Sequence, residues 1–441
     1  MSSLPIPTFD ILIEKLKKNT LINLFGSFIY IILRFIFYTA LFRYIDKTMY
    51  GSMGYFFSYI FLMVNLASAP TLYIPTHMIH TNNKNIASFI QLITLHIFLL
   101  GASFIFFVSH VKTIQTVQEL LIIYPSLLFI ISLLIFFEGI RLLLRFCMHL
   151  INKTYIIVPV ELASMVIYMA FVFYFLITSS SFSLYHIFIP FLIDSIIITF
   201  YFLFLFIRWL LDKEVASDDC FSPEKVDINS RKEIFFDSLA HSMSFYAQAL
   251  LSDNMIIVSF MPSLGLAQVA LPKFAAYIAE SVRILIRSLV KFSMIPALFA
   301  IKREPNQSEN KKAKKLFISY AKKTFLHILG ISLSIIILFL LGSYLFPEIF
   351  FQDNSLFFSA YFSLVTLFLI AKYIDQWNFF YEKIILAEGK PFPIITIAFT
   401  KIILAICLYV AHISLTKTLL LLVAIKIITA LFSYFYAKKI I

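Results

Sequence analysis

NTLINLFGSFIYIILRFIFYTALFRYIDKTMYGSMGYFFSY, residues 19–59, decides how the chain is read. It holds an apolar run of membrane-spanning length with one arginine, Arg34, near its middle. The polar turn Arg43-Tyr44-Ile45-Asp46-Lys47 follows, and Tyr50-Gly51 opens a second apolar run. A lone cation at mid-bilayer costs about 2.5–3.5 kcal/mol on insertion scales, so it faces protein, water or a ligand rather than lipid. A chain organised around that charge is expected to be a two-lobed membrane transporter of a bulky anionic substrate.

Composition agrees with a membrane setting. Of 441 residues, 61% are hydrophobic and 14% charged, with a mean hydropathy of +0.92. Soluble domains run at about 45–50% apolar and about 25% charged. Phe (52) and Tyr (23) far outnumber Gly (9), which suits aromatic-lined spans more than Gly-rich helix packing. Residues 1–18 lack the short apolar core and small-residue site of a cleaved signal peptide. Ile11, Leu12 and Leu16 with Lys15, Lys17 and Lys18 suggest a short amphipathic helix on the cytoplasmic surface. Cys147, Cys220 and Cys407 lie in separate segments without metal spacing, so neither a zinc site nor a disulfide framework is expected.

A span needs about 20 mostly apolar residues. That ruler gives twelve candidates: 20–42, 51–74, 88–109, 119–138, 155–177, 184–207, 235–258, 265–287, 316–342, 355–378, 392–412 and 416–437. With the N-terminus inside, 27 of the 36 Lys and Arg fall on the inner side and four on the outer, so both termini are expected in the cytoplasm. The polar stretch 212–233 divides the spans six and six. The expected layout is all-α: an arm (1–19), an N-lobe (20–208), a linker (209–234) and a C-lobe (235–441), with two six-helix lobes around a central cavity. Residues 43–51 align with 262–270 at an offset of 219, each an outer turn before an aromatic-rich span. That symmetry suggests two repeats meeting at a midplane cavity.

Here the chain resembles a known group. LFRYIDKTMYGSMGYFFSYIFLMVNLASA (41–69) is similar to the start of polysaccharide (O-antigen type) flippases of the multidrug/oligosaccharidyl-lipid/polysaccharide exporter superfamily. Their pattern Arg-x-Leu-Gly-Pro-x-x-Tyr-Gly is matched at Arg43, Tyr50 and Gly51; Asp46 stands where Gly is usual, and Asn65 and Ala67 replace an Asp and a Gly. In the second half Asp253 and Leu264-Gly265 match, while Asn254 replaces an Arg and Ala270 a Gly. Ala387-Glu388-Gly389-Lys390 looks like the family's turn before the eleventh span. The resemblance implies an undecaprenyl-diphosphate-linked oligosaccharide moved from the cytoplasmic to the periplasmic leaflet of a bacterial inner membrane by alternating access. It also implies a polysaccharide polymerase and a chain-length regulator as partners.

Arg34 is the leading candidate for substrate contact, because a guanidinium matches phosphate oxygens bidentately in a dry cavity. In the family fold the first and eighth spans border the cavity, which puts Lys273 near the same space. The alternative for Arg34 is an interhelical pair with Asp194 or Glu161. Lys401 and Lys426, mid-span in the last two helices, are candidates for a cationic vestibule or for snorkelling and internal pairing. Lys372 and Asp375, spaced i,i+3, are expected to pair on one helix face. Asp194, Asp253, Glu161 and Glu280 could carry a coupling proton or sodium ion, or balance nearby cations. His96, His241 and His327 have no metal spacing and read as polar residues packed between helices. The Lys311–Lys315 cluster is expected to touch anionic inner-leaflet lipid, not nucleic acid. No phosphate-binding Gly-rich loop, nucleophile elbow or paired-histidine motif is present, so a transporter without cofactor or metal is expected rather than an enzyme.

Two other functions compete. A membrane polymerase or ligase of the same pathway resembles chains with a large external loop, and here the outer loops are short. A drug exporter of the same superfamily resembles chains with an acidic residue in the first span, where this chain has Arg34.

Overall fold

The computed structural model describes residues 9–71, 86–111, 113–150, 154–211, 228–289, 307–346, 356–387, 390–411 and 413–440. Among them are fourteen helices and no strand. In chain order they are α1 (Phe9–Tyr44), α2 (Lys47–Ser68), α3 (Ile86–Val111), α4 (Gln115–Ile123), α5 (Leu127–Leu150), α6 (Thr154–Thr178) and α7 (Tyr185–Leu211). They continue with α8 (Ile228–Leu250), α9 (Asp253–Leu264), α10 (Leu266–Leu289), α11 (Gln307–Leu345), α12 (Leu356–Ala387), α13 (Pro391–Val410) and α14 (Leu415–Ile440). The chain is an all-α polytopic membrane protein.

Among the described residues eight helices are long and apolar enough to cross a bilayer: α1, α3, α5, α6, α7, α11, α13 and α14. Their outer faces carry bare hydrophobic side chains such as Phe98, Ile177 and Phe204, as contact with lipid tails requires. The other four expected spans fall on α2, α8 with α9, α10, and α12, which are more polar and sit inside the bundle. Sixteen of the 22 residues of α2 are buried, among them Tyr50, Tyr55 and Tyr59. A helix walled by protein can hold hydroxyls and charges that lipid would reject.

The twelve-span reading needs three corrections. The fourth expected span (119–138) is displaced, because Pro125 separates α4 from α5 and the long helix runs on to Leu150. Arg141 and Arg145, assigned by sequence to an inner loop, therefore lie on a helix and are ion-paired with carboxylates. The seventh (235–258) breaks at Leu251-Ser252, where the Ser252 hydroxyl caps α9 by accepting the Met255 N–H at 3.3 Å. The expected surface helix at 11–18 is continuous with the first span, giving one 36-residue helix. Residues 1–8, most of the linker (212–227), the side chains of Lys15, Lys17, Lys18 and Lys311–Lys315, and Glu388-Gly389 lie outside the described residues.

α3, α5, α6 and α7 pack on one another and on α1 or α2, α11–α14 pack on one another and on α8 or α10, and the two groups meet extensively where α1 packs on α10 and α2 on α8, α9 and α10. Asp46 starts α2 by accepting the Thr48 N–H at 2.8 Å and the Met49 N–H at 3.3 Å. At the other turn Gly265 takes φ +80°, which costs a glycine nothing and carries the chain from α9 into α10. The two turns that echo each other in sequence touch: a Cβ at Gly51 would fall 1.7 Å from the Leu266 carbonyl oxygen. Beside them Phe42, Phe274 and Tyr361 stack in sequence, with centroids 4.5 and 5.7 Å apart. Gly51→Ala is expected to destabilise the protein by about 1–3 kcal/mol, since two backbones must separate. Thermal unfolding in detergent checks this against Gly330→Ala, whose added methyl meets open space and is expected to leave melting unchanged.

Candidate functional site

On α1, Tyr30, Arg34 and Tyr38 recur every four residues, so they line one face. On α10, Lys273, Tyr277 and Glu280 follow the i, i+4, i+7 stripe. The two stripes face each other across the seam between the helix groups. Tyr38 and Tyr277 stack nearly parallel, with centroids 3.6 Å apart and 9° between planes. The Arg34 guanidinium carbon lies 5.3 Å from the Tyr38 ring centre and 5.7 Å from those of Tyr30 and Tyr277. Lys273, only 1% exposed, has its Nζ 4.5 Å from the Tyr277 ring centre. It donates to Ser58 Oγ of α2 at 2.6 Å and to Asn254 Oδ1 of α9 at 3.1 Å. Gly54 makes room for it, for a Cβ there would meet Lys273 Cγ at 2.5 Å.

Arg34 and Lys273 are thus brought to one tyrosine ring from opposite sides of the seam. Ring faces attract a cation through their quadrupole, by about 0.5–2 kcal/mol each, without cancelling its charge. Among the described residues neither cation forms an ion pair with a carboxylate. The expected alternative, Arg34 with Asp194 or Glu161, is not formed. Those two carboxylates belong to a cluster within α5, α6 and α7. There Arg141 lies 2.8 Å from Glu138, 3.6 Å from Asp194 and 3.8 Å from Glu161, and Arg145 lies 2.9 Å from Glu161. Ser195 donates to Glu138 at 2.6 Å, and Ser164 donates to Asp194.

The remaining candidates sit on carboxylates of the second helix group. Lys401 Nζ lies 2.5 Å from Glu382 Oε1, which also accepts from Asn378 at 2.8 Å. Lys426 Nζ lies 2.5 Å from Asp375 Oδ2. The expected Lys372–Asp375 pair is not made. Lys372 instead bridges Asp253 of α9 and Glu280 of α10, at 2.5 Å to each. Asp253 is the first residue of the short α9, not the outer end of a continuous span.

Of the histidines, His96 is buried between helices, with Thr71 Oγ1 at 2.7 Å from its Nδ1 and its Nε2 2.9 Å from the Gly139 carbonyl. Lys383 Nζ lies 2.9 Å from His241 Nδ1, while His327 bonds within its own helix, to the Lys323 carbonyl at 2.7 Å. Among the described residues no three His, Cys, Asp or Glu side chains are grouped as a metal site would need. Sequence reading named Arg34 and Lys273 but missed the tyrosines that hold them. The four-residue recurrence Tyr30-Arg34-Tyr38 was the available signal.

No family model matches the chain, and no curated protein matches it. Solved structures do match its fold over nearly the whole length. A MATE protein in its straight conformation aligns at 14% identity with TM-score 0.59, covering 98% of this chain and 96% of that one. An outward-facing multidrug resistance MATE family transporter of the MOP superfamily aligns at 14% and 0.59, covering 100% and 98%. A MOP superfamily transporter from Pyrococcus furiosus, described as having a binding pocket of reverse polarity, aligns at 14% and 0.61, covering 100% and 98%.

Proposed function

We propose that the chain is a transporter of the MOP superfamily that carries a lipid-linked oligosaccharide diphosphate across a bacterial inner membrane by alternating access. One observation carries the reading. Two cations without a carboxylate partner among the described residues, Arg34 and Lys273, meet on Tyr277 at the seam between two helix groups. A diphosphate is an acceptor with two negative centres, and a guanidinium beside an ammonium offers it charge-assisted hydrogen bonds in a site screened from water. The flanking tyrosines present flat apolar faces, which suit sugar rings. Lys401 and Lys426 then act as structural cations, and the carboxylates Asp194, Glu161 and Asp253 remain candidates for ion coupling. Both termini face the cytoplasm, by the distribution of basic residues, and the Lys311–Lys315 cluster meets anionic inner-leaflet lipid. A polymerase and a chain-length regulator are the partners that would consume the product.

Drug export is the second reading, supported by the fold shared with a multidrug resistance transporter. The sign of the seam charge argues against it, since a cationic drug would be repelled by Arg34 and Lys273. In the Pyrococcus furiosus relative, a different function was suggested from pocket polarity, and the same criterion separates the two readings here.

The deciding experiment reconstitutes the full chain in liposomes with a fluorescent undecaprenyl-diphosphate-linked saccharide in the outer leaflet and follows its loss of access to an added quencher. Flipping well above that of empty liposomes is expected. Transport of a cationic dye with no movement of the lipid would overturn the assignment in favour of drug export.

A further inference from the structure

We propose that Lys372 is a positioning residue: it withholds two carboxylates from the seam and thereby keeps Arg34 and Lys273 available to an anion. The inference rests on the seam being an anion site. Glu280 shares its α10 stripe with Lys273 and Tyr277 and lies within electrostatic reach of Arg34. Asp253 and Glu280 both lie within such reach of Lys273. Either carboxylate could therefore neutralise a seam cation, and among the described residues the ion pair each forms is with Lys372 instead. Both are drawn onto Lys372 Nζ of α12, at 2.5 Å each. Lys372 is 3% exposed. An ammonium has three donors and no acceptor, so one side chain can hold two carboxylates at once. Among the described residues, Lys426 and Asp375 also lie near it and pair with each other at 2.5 Å.

Arg34, Lys273 and Lys372 against Asp253 and Glu280 leave one positive charge in excess. Without Lys372 the same group is neutral, and opposite charges in a low-dielectric interior attract strongly. Glu280 would turn to Arg34 and Asp253 to Lys273. An incoming anion would then have to displace a carboxylate already in place.

The test titrates inorganic pyrophosphate into the purified full chain in phosphatidylcholine nanodiscs, with calorimetry as readout. Lys372→Met is expected to weaken binding about tenfold or more, because a released carboxylate then competes with the anion for a seam cation. Lys372→Met with Glu280→Gln restores the excess charge and is expected to return binding to within about threefold of the parent. Glu280→Gln alone is expected to tighten binding, whereas a merely structural bridge predicts loss; it decides the matter if Lys372→Met fails to fold. Parent binding unchanged by Lys372→Met, or Glu280→Gln that weakens binding, overturns the inference alone. No pyrophosphate binding by the parent overturns both it and the anion site. Binding that depends on Lys372, without lipid flipping, upholds the inference and removes only the cargo proposed above.

Discussion

Arg34→Ala abolishes flipping of the lipid-linked saccharide, with an expected fall of about 100-fold or more, while the protein still inserts and melts as the parent does. The magnitude follows from two charge-assisted hydrogen bonds to a diphosphate at about 1.5–3 kcal/mol each, lost in a site where water replaces them poorly. Stability is spared because, among the described residues, Arg34 has no carboxylate ion-pair partner to strand. Its neighbours are three tyrosine rings that close over an alanine with little loss. Arg34→Lys is expected to recover part of the rate, since a point charge remains but the bidentate fork does not. Flipping by the alanine variant at the parental rate would remove the seam from the transport path. The liposome assay with a quencher separates these outcomes, and circular dichroism with thermal melting verifies the fold.

The second large effect falls on stability rather than transport. Lys401→Ala strands the Glu382 carboxylate, which is 1% exposed and keeps Asn378 at 2.8 Å and Ser244 at 2.6 Å as hydrogen-bond partners, with Lys383 the remaining cation near it among the described residues. Removing one member of a buried ion pair costs about 3–5 kcal/mol, because the survivor stays charged in a dry interior. The expected result is a sharp fall in folded protein recovered from membranes and a lower melting temperature in detergent. Adding Glu382→Gln to the same chain removes the stranded charge and is expected to restore most of the yield. A rescued double variant that still flips the lipid places Lys401 in the framework. One that is stable but inactive returns it to the substrate path.

The apolar runs were legible wherever lipid sets the rule. α1, α3, α6, α7, α11, α13 and α14 fall on expected spans because each must present an apolar surface to the bilayer. Arg34 stood out for the same reason: a charge in such a run is expensive. Breaks were harder to see. Leu251-Ser252 interrupts a stretch that stays apolar enough to read as one span, and no proline or glycine marks the end of α8. Arg141 and Arg145 look like loop residues until Glu138, Glu161 and Asp194 are found around them. Ion-pair partners are the least legible feature. Lys372 meets Asp253 across 119 positions of chain, while its neighbour Asp375 goes to Lys426, 51 positions away. Helical spacing proposes the nearest partner, and only the fold decides which stripe faces which.

At Gly51 the main chains of α2 and α10 lie against each other with no side chain between them. Side-chain gates swing on one or two torsions and can flicker on their own. A gasket made of peptide groups has nothing to swing, so it parts only when whole helices move. Under the alternating-access reading proposed above, opening at this contact calls for a movement of whole helices rather than of side chains.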